Sequence, residues 1–166
     1  MHVLANSVNL WLFVQYMDKI DASDQRILHV LSQEGRISNV DLAAKIGLSA
    51  SACLRRVQEL ERIGIIKGYR AVLDPVALGK GFAAYVAVGL SRHTKDQQHG
   101  FEAAIAKAPE VRECHNVTGS FEYLLRVETA DLAAYKHFHT EVLGALPQVA
   151  TITSYVVMGS PKDERG

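Results

Sequence analysis

The sequence predicts an α+β protein with a helical N-terminal half and a C-terminal half in which strands and helices alternate. Residues 21–63 contain three segments with apolar residues at helical spacing, each with a capping Asp or Ser at its start. Residues 82–158 follow the order βαββαβ, with strands rich in Val and Tyr. Between them, Asp74-Pro75 breaks the pattern, because proline disfavours helix before it and cannot donate to a strand ladder.

The charge distribution distinguishes the two halves, although the net charge is zero. Residues 17–73 carry nine Lys/Arg and seven Asp/Glu, whereas residues 74–166 carry nine and eleven. From Arg55 to Arg70 the count is five basic residues against two acidic ones. This is a weak electrostatic footprint for nucleic acid, so specific or multimeric binding would have to supply the affinity.

The first sixteen residues lack Lys and Arg, and their apolar run is far shorter than the ~20 residues that span a bilayer. We expect either that Met17 is the true start or that residues 1–16 form a loose extra helix. The two cysteines, Cys53 and Cys114, lie in different halves and match no zinc or redox spacing. We expect them to be reduced packing residues of a cytosolic protein.

The first helix is predicted to begin at Asp21 and to end before Gly35, with acidic and capping residues preceding its apolar positions. Ser38 can cap a second helix, and Gly47 makes a tight turn after it. Ser49 or Ser51 can cap a third helix. Two helices around a tight turn are typical of a helix-turn-helix, whose second helix enters the DNA major groove.

The third helix carries apolar residues at three-residue steps, and Gly64 ends it. The positions predicted to face the core are Leu54, Val57, Leu60 and Ile63. Residues 65–73 are predicted to form a two-stranded wing that turns near Lys67-Gly68. Residues 17–73 are therefore predicted to be a winged helix-turn-helix domain.

This arrangement would leave small and basic residues on the outer face of the third helix. Arg55 and Arg56 can then reach guanine N7/O6 or phosphate, and Ser49, Ser51 and the first backbone amides suit phosphate oxygens. The predicted DNA-binding residues are Ser38, Ser49, Ser51, Ala52, Arg55, Arg56, Lys67 and Arg70. The alternative is that the two arginines belong to a solvated face and pair with Glu59 and Glu61.

The C-terminal half is predicted to be a ferredoxin-like βαββαβ sandwich over residues 81–159, after a linker at 74–80 and before a frayed tail at 160–166. Its predicted strands are 82–90, 111–117, 123–127 and 149–158, and its helices are 95–108 and 131–143. The sequence has no nucleophile elbow, no glycine-rich phosphate loop and no metal-ligand spacing among its seven histidines. We therefore expect no catalytic residues, no metal and no cofactor; an enzyme would leave residues 37–57 unexplained.

Three segments carry a resemblance to a known family. They are Asp21–Leu31, the run from Gly47-Leu48-Ser49 through Cys53-Leu54-Arg55-Arg56-Val57 to Gly64-Ile65-Ile66, and Val117–Leu125 paired with Thr153–Met158. Over residues 18–159 the chain resembles the leucine-responsive/asparagine regulator (Lrp/AsnC, feast-or-famine) family of transcription regulators. Family members often have proline where this chain has Ala50 and Ala52, and aspartate where it has Glu122.

The resemblance implies that the C-terminal half binds an amino-acid effector. The Thr118-Gly119-Ser120 turn offers amides to a carboxylate, and Glu122 offers an acceptor to an ammonium group. The predicted effector-binding residues are Val117, Thr118, Gly119, Ser120, Glu122, Tyr155 and Val157. The alternative is a plain hairpin turn with a solvated Glu122, and with Tyr123 and Tyr155 in the core.

The resemblance also implies the partners. Double-stranded DNA would be bound by a homodimer built from the 82–90 sheet edge and the linker, and dimers would assemble into higher oligomers, commonly octamers. The effector site would lie between dimers, so that binding changes the oligomeric state or DNA binding. We expect a cytoplasmic, nucleoid-associated regulator without a membrane partner; the alternative is a ligand-independent architectural DNA-binding protein.

Overall fold

The computed structural model describes residues 20–163, which form two compact units divided between Ala71 and Val72. The predicted extension at 1–16 and the start at Met17 lie outside the described residues. The first unit contains three helices: α1 (Ala22–Gln33), α2 (Asn39–Ile46) and α3 (Ala50–Arg62). The second unit contains β1 (Phe82–Leu90), α4 (Lys95–Ile105), β2 (Val111–Asn116), β3 (Tyr123–Thr129), α5 (Leu132–His137), a π-helical turn (Phe138–Leu143) and β4 (Val149–Val156).

The helices begin at the residues whose side chains cap them. Asp21 and Asp24 form a capping box on α1, each side chain accepting from the other's backbone N–H. Ser38 caps α2, Thr94 caps α4 and Asp131 caps α5, as shown by their bonds to the N–H groups three residues on. The caps predicted at Asp21 and Ser38 are thereby confirmed, and Asp131 caps α5 at the start of the helix predicted over 131–143.

A small apolar core holds α1, α2 and α3 together. Its fully buried members are Ile27, Leu42, Ala43, Ile46, Cys53 and Leu60. Cys53 is 0 % exposed, and burial raises the pKa of its thiol. This residue therefore packs as a small apolar side chain, as expected. Cys114, expected to pack in the same way, is exposed.

The segment predicted to form a two-stranded wing contains no strand in the part of the chain that the structure describes. Ile65 and Ile66 instead both donate their N–H groups to the Leu60 carbonyl and pack against the helical core. Because these residues finish the end of α3, they are not available to a ladder. Residues 67–74 continue as chain without assigned secondary structure.

The second unit confirms the predicted βαββαβ order. Its four strands form one antiparallel sheet in the order β2-β3-β1-β4, which is the ferredoxin-like arrangement. Strand β1 is flanked on both sides, so the expectation that residues 82–90 form a sheet edge is wrong; the edges are β2 and β4.

One face of the sheet packs on the helices around Val86, Leu125, Phe101 and Phe138, all fully buried. The opposite face carries the alternate residues of β1 and the residues paired with them, including Tyr85 opposite both Tyr155 and Arg126. Among the described helices, none has both the length and the apolar composition that crossing a membrane requires.

Candidate functional site

The helix-turn-helix geometry is set by three local features. Gly47 ends α2 with φ +73°, a left-handed conformation that favours glycine. Ser49 then caps α3 by accepting from the Ala52 N–H at 3.3 Å, which resolves the choice between Ser49 and Ser51. Asn39 Nδ2 donates to the Ala50 carbonyl at 2.8 Å, so the N-terminus of α2 is tied to that of α3.

The inward face of α3 differs from the predicted one. Cys53 and Leu60 are buried, whereas Leu54, predicted to face the core, is 46 % exposed. At 100° per residue, Cys53 and Leu60 lie about 20° apart around the helix, but Leu54 and Leu60 lie about 120° apart. Three-residue steps therefore drift off one face, and Cys53 takes the core position assigned to Leu54.

The outward face of α3 presents polar, basic and apolar groups together. Its exposed members are Ser51, Leu54, Arg55, Gln58 and Arg62. Arg55 makes no ion pair among the described residues, whereas Arg62 is bonded to Glu59 through two nitrogens at 2.7 and 2.6 Å. Ala52 is half-buried. Of the predicted DNA-binding residues on this helix, Ser51 and Arg55 point away from the core of the unit.

Arg56 lies on a different side of α3 from Arg55, facing the start of α1. One guanidinium nitrogen is 2.8 Å from Asp21 Oδ2 and 2.9 Å from Asp24 Oδ1. The hydrogen bond to Asp24, followed by that to Asp21, raises the pKa of Arg56. Asp24 is 8 % exposed, so this arginine neutralises a buried carboxylate. Neither Glu59 nor Glu61 is among these partners.

The remaining predicted DNA-binding residues lie at two places in the first unit. Ser38 and Asn39 are at the α2 N-terminus, beside Ala50.

Lys67 is exposed after α3, and nearby Tyr69 donates its hydroxyl to Glu61 at 2.9 Å. Burial is the main cause of a raised pKa for Tyr69, followed by this carboxylate. Arg70 is also exposed.

In the second unit, Glu122 is held on a tight hairpin between β2 and β3. The Val117 N–H donates to the Glu122 carbonyl at 2.9 Å and closes the loop that contains Thr118, Gly119 and Ser120. Gly119 has φ +144°, a conformation that L side chains rarely adopt, and the space beside it is open. The hairpin thus presents exposed backbone next to a fixed carboxylate.

The Glu122 side chain is only 18 % exposed and is not solvated as the alternative interpretation required. Its Oε2 atom accepts from the Leu90 N–H at 2.7 Å, and its Oε1 atom lies 3.1 Å from His93 Nδ1. The sequence pattern identified Glu122 but missed Leu90 and His93. Their contact arises because β1 and β3 are neighbours in the sheet, which local spacing does not reveal.

Tyr155 and Val157 lie apart from Glu122. The Glu122 N–H donates to the Val88 carbonyl, and Val88 pairs with Ile152 of β4. Tyr155 pairs instead with Tyr85, which lies three positions from Val88 along β1. That offset is about 10 Å along the strand, and the two residues are on opposite sides of β1. A single chain therefore does not bring the predicted effector-binding residues into one pocket. Tyr155 is 56 % exposed rather than in the core.

Tyr123, next to Glu122, belongs to the core and has a polar end. Its ring packs on Phe101 at 4.6 Å between centroids, and its hydroxyl donates to Glu102 at 2.7 Å. Burial, followed by the hydrogen bond to Glu102, raises the pKa of Tyr123 to about 12. The hairpin that carries Glu122 is therefore anchored to α4. No group of three or more His, Cys, Asp or Glu in the described residues is arranged to hold a metal ion.

Comparison with known proteins accounts for both units. Residues 20–67 match a family model described as a winged helix-turn-helix DNA-binding domain, and residues 83–166 match the Lrp/AsnC ligand-binding domain. The proline dehydrogenase transcriptional activator of Rhodobacter capsulatus is 44 % identical over 141 residues, covering 85 % of this chain and 92 % of that protein. The leucine-responsive regulatory protein of Escherichia coli K12 is 42 % identical over 143 residues, covering 86 % and 87 %.

Solved structures agree with these sequence matches. A transcriptional regulator of Neisseria meningitidis in complex with L-Met superposes with a TM-score of 0.84 and 37 % identity, covering 87 % of this chain and 93 % of that one. An AsnC family transcriptional regulator from Agrobacterium tumefaciens gives 0.82 and 31 %, covering 87 % and 94 %.

A helix-turn-helix unit followed by a ligand-binding ferredoxin-like unit defines an effector-responsive, DNA-binding transcription regulator. The chain belongs to the Lrp/AsnC family of these regulators.

Proposed function

We propose that the effector of this regulator is an amino acid and that Glu122 accepts its ammonium group. The observation that carries this proposal is that the Glu122 carboxylate, only 18 % exposed, lies on the same hairpin as Gly119, which has open space beside it. The turn amides suit the effector carboxylate. His93, which is 75 % exposed, occupies one Glu122 oxygen in the free chain, and a ligand ammonium would replace it there.

Tyr155 and Val157 belong to this proposal only through a second copy of the chain. Since they lie on the far side of β1 from Glu122, a site that includes all seven predicted residues is assembled between copies. The related Neisseria regulator was solved with L-Met, which supports an amino acid as the class of ligand. Beyond such an effector, we propose no cofactor, no metal and no catalytic activity.

We propose a homodimer that assembles further, with the octamer as the expected size. Large apolar side chains are exposed just before the linker, within it and on the edge strand β4: Val72, Leu73, Val76, Leu78, Tyr155 and Val156. Val72 is 78 % exposed. Exposed apolar side chains and an unpaired strand edge are features that association covers. The protein is proposed to act in the cytoplasm, at the nucleoid.

On DNA, we propose that Ser51 and Arg55 of α3 lie in the major groove, with Ser38, Ser49, Lys67 and Arg70 at the flanking phosphates. Ala52 allows close approach of the helix start. Arg56 is proposed to position α3 rather than to contact DNA, because its guanidinium is held by Asp21 and Asp24. If Arg56 left Asp24 to contact DNA, the buried Asp24 carboxylate would lose its charge partner, which is costly.

A thermal-shift screen of the purified protein against the twenty amino acids tests the effector proposal, because selective binding raises the apparent stability by mass action. We expect one chemical class to stabilise the wild type, and the same compound to lose its effect on Glu122→Gln. The matched control is Glu141→Gln, an exposed glutamate of the same unit. If none of the twenty amino acids stabilised the wild type, the proposed effector site would be refuted and a ligand-independent architectural protein would be favoured.

A further inference from the structure

Leu54, like Val40 of α2, is a large apolar side chain of the DNA-binding unit that the core leaves exposed. It lies on the outward face of α3, is 46 % exposed, and is flanked by Arg55 and, one turn earlier, by Ser51. Cys53 and Leu60 already fill the inward face. A large apolar side chain thus lies beside Ser51 and Arg55, on the surface of α3 that we propose to face DNA, in the first half of the helix.

The geometry of α3 favours deep insertion at this position. Ser51 and Ala50 precede Leu54 by one turn and are short side chains, so the helix start can approach base edges closely. Since the α2 N-terminus is bonded to Ala50 through Asn39, the start of α3 is fixed to its neighbour. Leu54 is therefore presented by a positioned helix rather than by a mobile loop.

The chemistry of the major groove restricts what a leucine can contact there. Guanine, cytosine and adenine present hydrogen-bonding groups in that groove, and thymine alone adds a C5 methyl group. Leucine has no donor or acceptor, so placing it against polar base edges would desolvate them without a partner. Only the thymine methyl gives it a favourable contact.

We propose that Leu54 is a specificity-determining residue that packs on a thymine methyl group, beside a base pair contacted by Arg55. This rests on the DNA-binding function of the chain and deepens it by naming a base. Arg55, which makes no ion pair in the described chain, is suited to guanine. The pair of residues predicts a binding site in which a thymine and a guanine occur at neighbouring positions of each half-site.

The experiment removes only the methyl group. A duplex is selected from a random pool by the wild-type protein, and each thymine in it is replaced singly by deoxyuridine. Binding is measured by fluorescence anisotropy with the full-length chain at fixed salt. We expect one thymine in each half-site at which the wild type loses about fourfold in affinity, the amount that burial of one methyl group supplies.

Three variants complete the test. Leu54→Ala should bind the thymine and deoxyuridine duplexes equally, and Leu54→Met, which keeps an apolar side chain, should retain the preference for thymine. Leu132→Ala is the matched control, because Leu132 is 63 % exposed but lies in the other unit; it should discriminate as the wild type does. The proposal is overturned if the wild type is indifferent to deoxyuridine at every position, or if Leu54→Ala keeps the preference.

Discussion

Arg56 of α3 and Asp24 of α1 form an ion pair with 2.9 Å between Nη1 and Oδ1, across 32 positions of the sequence. The same guanidinium nitrogen lies 2.8 Å from Asp21, whose side chain also caps α1. The helix proposed to enter the major groove, α3, is thereby fixed to the first turn of α1. The adjacent arginines of α3 therefore differ in their contacts: Arg56 is paired with Asp21 and Asp24, whereas Arg55 is exposed and makes no ion pair among the described residues.

The first prediction separates these two arginines. Arg56→Ala leaves the buried Asp24 carboxylate without its charge partner, so the free energy of local opening of α1 and α3 should fall by about 1–3 kcal/mol. Amide hydrogen exchange of the full-length protein measures this. Arg55→Ala should leave exchange unchanged and weaken specific DNA binding without changing the oligomeric state. If amide hydrogen exchange were equal in the two variants, the positioning role of Arg56 would be refuted.

The second prediction concerns the hairpin turn at Gly119. Gly119→Val forces a β-branched residue into φ +144° and should abolish the response to the amino-acid effector, while DNA affinity without effector stays unchanged. Isothermal titration and anisotropy measure the two properties. The control is Gly159→Val, at a glycine that has open space beside it and a φ outside the left-handed region. Equal loss of both properties in Gly119→Val would refute the separation of the two sites.

The third prediction follows from the pKa of Tyr123, which is raised to about 12 mainly by burial and then by Glu102. In the unfolded chain a tyrosine has a pKa of about 10. Between these values the unfolded state releases a proton that the folded state retains, so stability falls as pH rises from 10 to 12.

Urea unfolding measured between pH 10 and 12 should show that the free energy of unfolding falls more steeply for the wild type than for Tyr123→Phe, because phenylalanine cannot ionise. The control is Tyr155→Phe, at a tyrosine that is 56 % exposed; its loss should match that of the wild type. Parallel curves for the wild type and Tyr123→Phe would show that this hydroxyl does not titrate as described.

The order of elements was predictable from the sequence because caps and apolar periodicity are local signals. Asp21, Ser38 and Asp131 begin helices where the pattern indicated, and the βαββαβ order is confirmed. The wing was not predictable in the same way. Apolar residues at 65 and 66 suit either a strand or the end of a helix, and packing on the helical core decides for the latter.

The sequence named candidate site residues, but it did not reveal which residues they contact. Sequence reasoning placed Leu54 inward because Leu54, Val57 and Leu60 recur at steps of three, yet the helical repeat of 3.6 gives that position to Cys53. Arg56 is paired with a residue of another helix, Asp24 of α1. Glu122 contacts Leu90 and His93, which lie at and just after the end of β1. Contacts between distant segments depend on topology, which a single sequence does not display.

An amino-acid-responsive regulator is tested most directly by the affinity of the full-length protein for its selected duplex, measured by anisotropy with and without each of the twenty amino acids. We predict that one chemical class of amino acid changes the apparent affinity or the stoichiometry on DNA, and that Glu122→Gln abolishes the change while still binding the duplex. DNA binding that is tight and identical under all twenty conditions would contradict an amino-acid effector and leave a ligand-independent architectural protein.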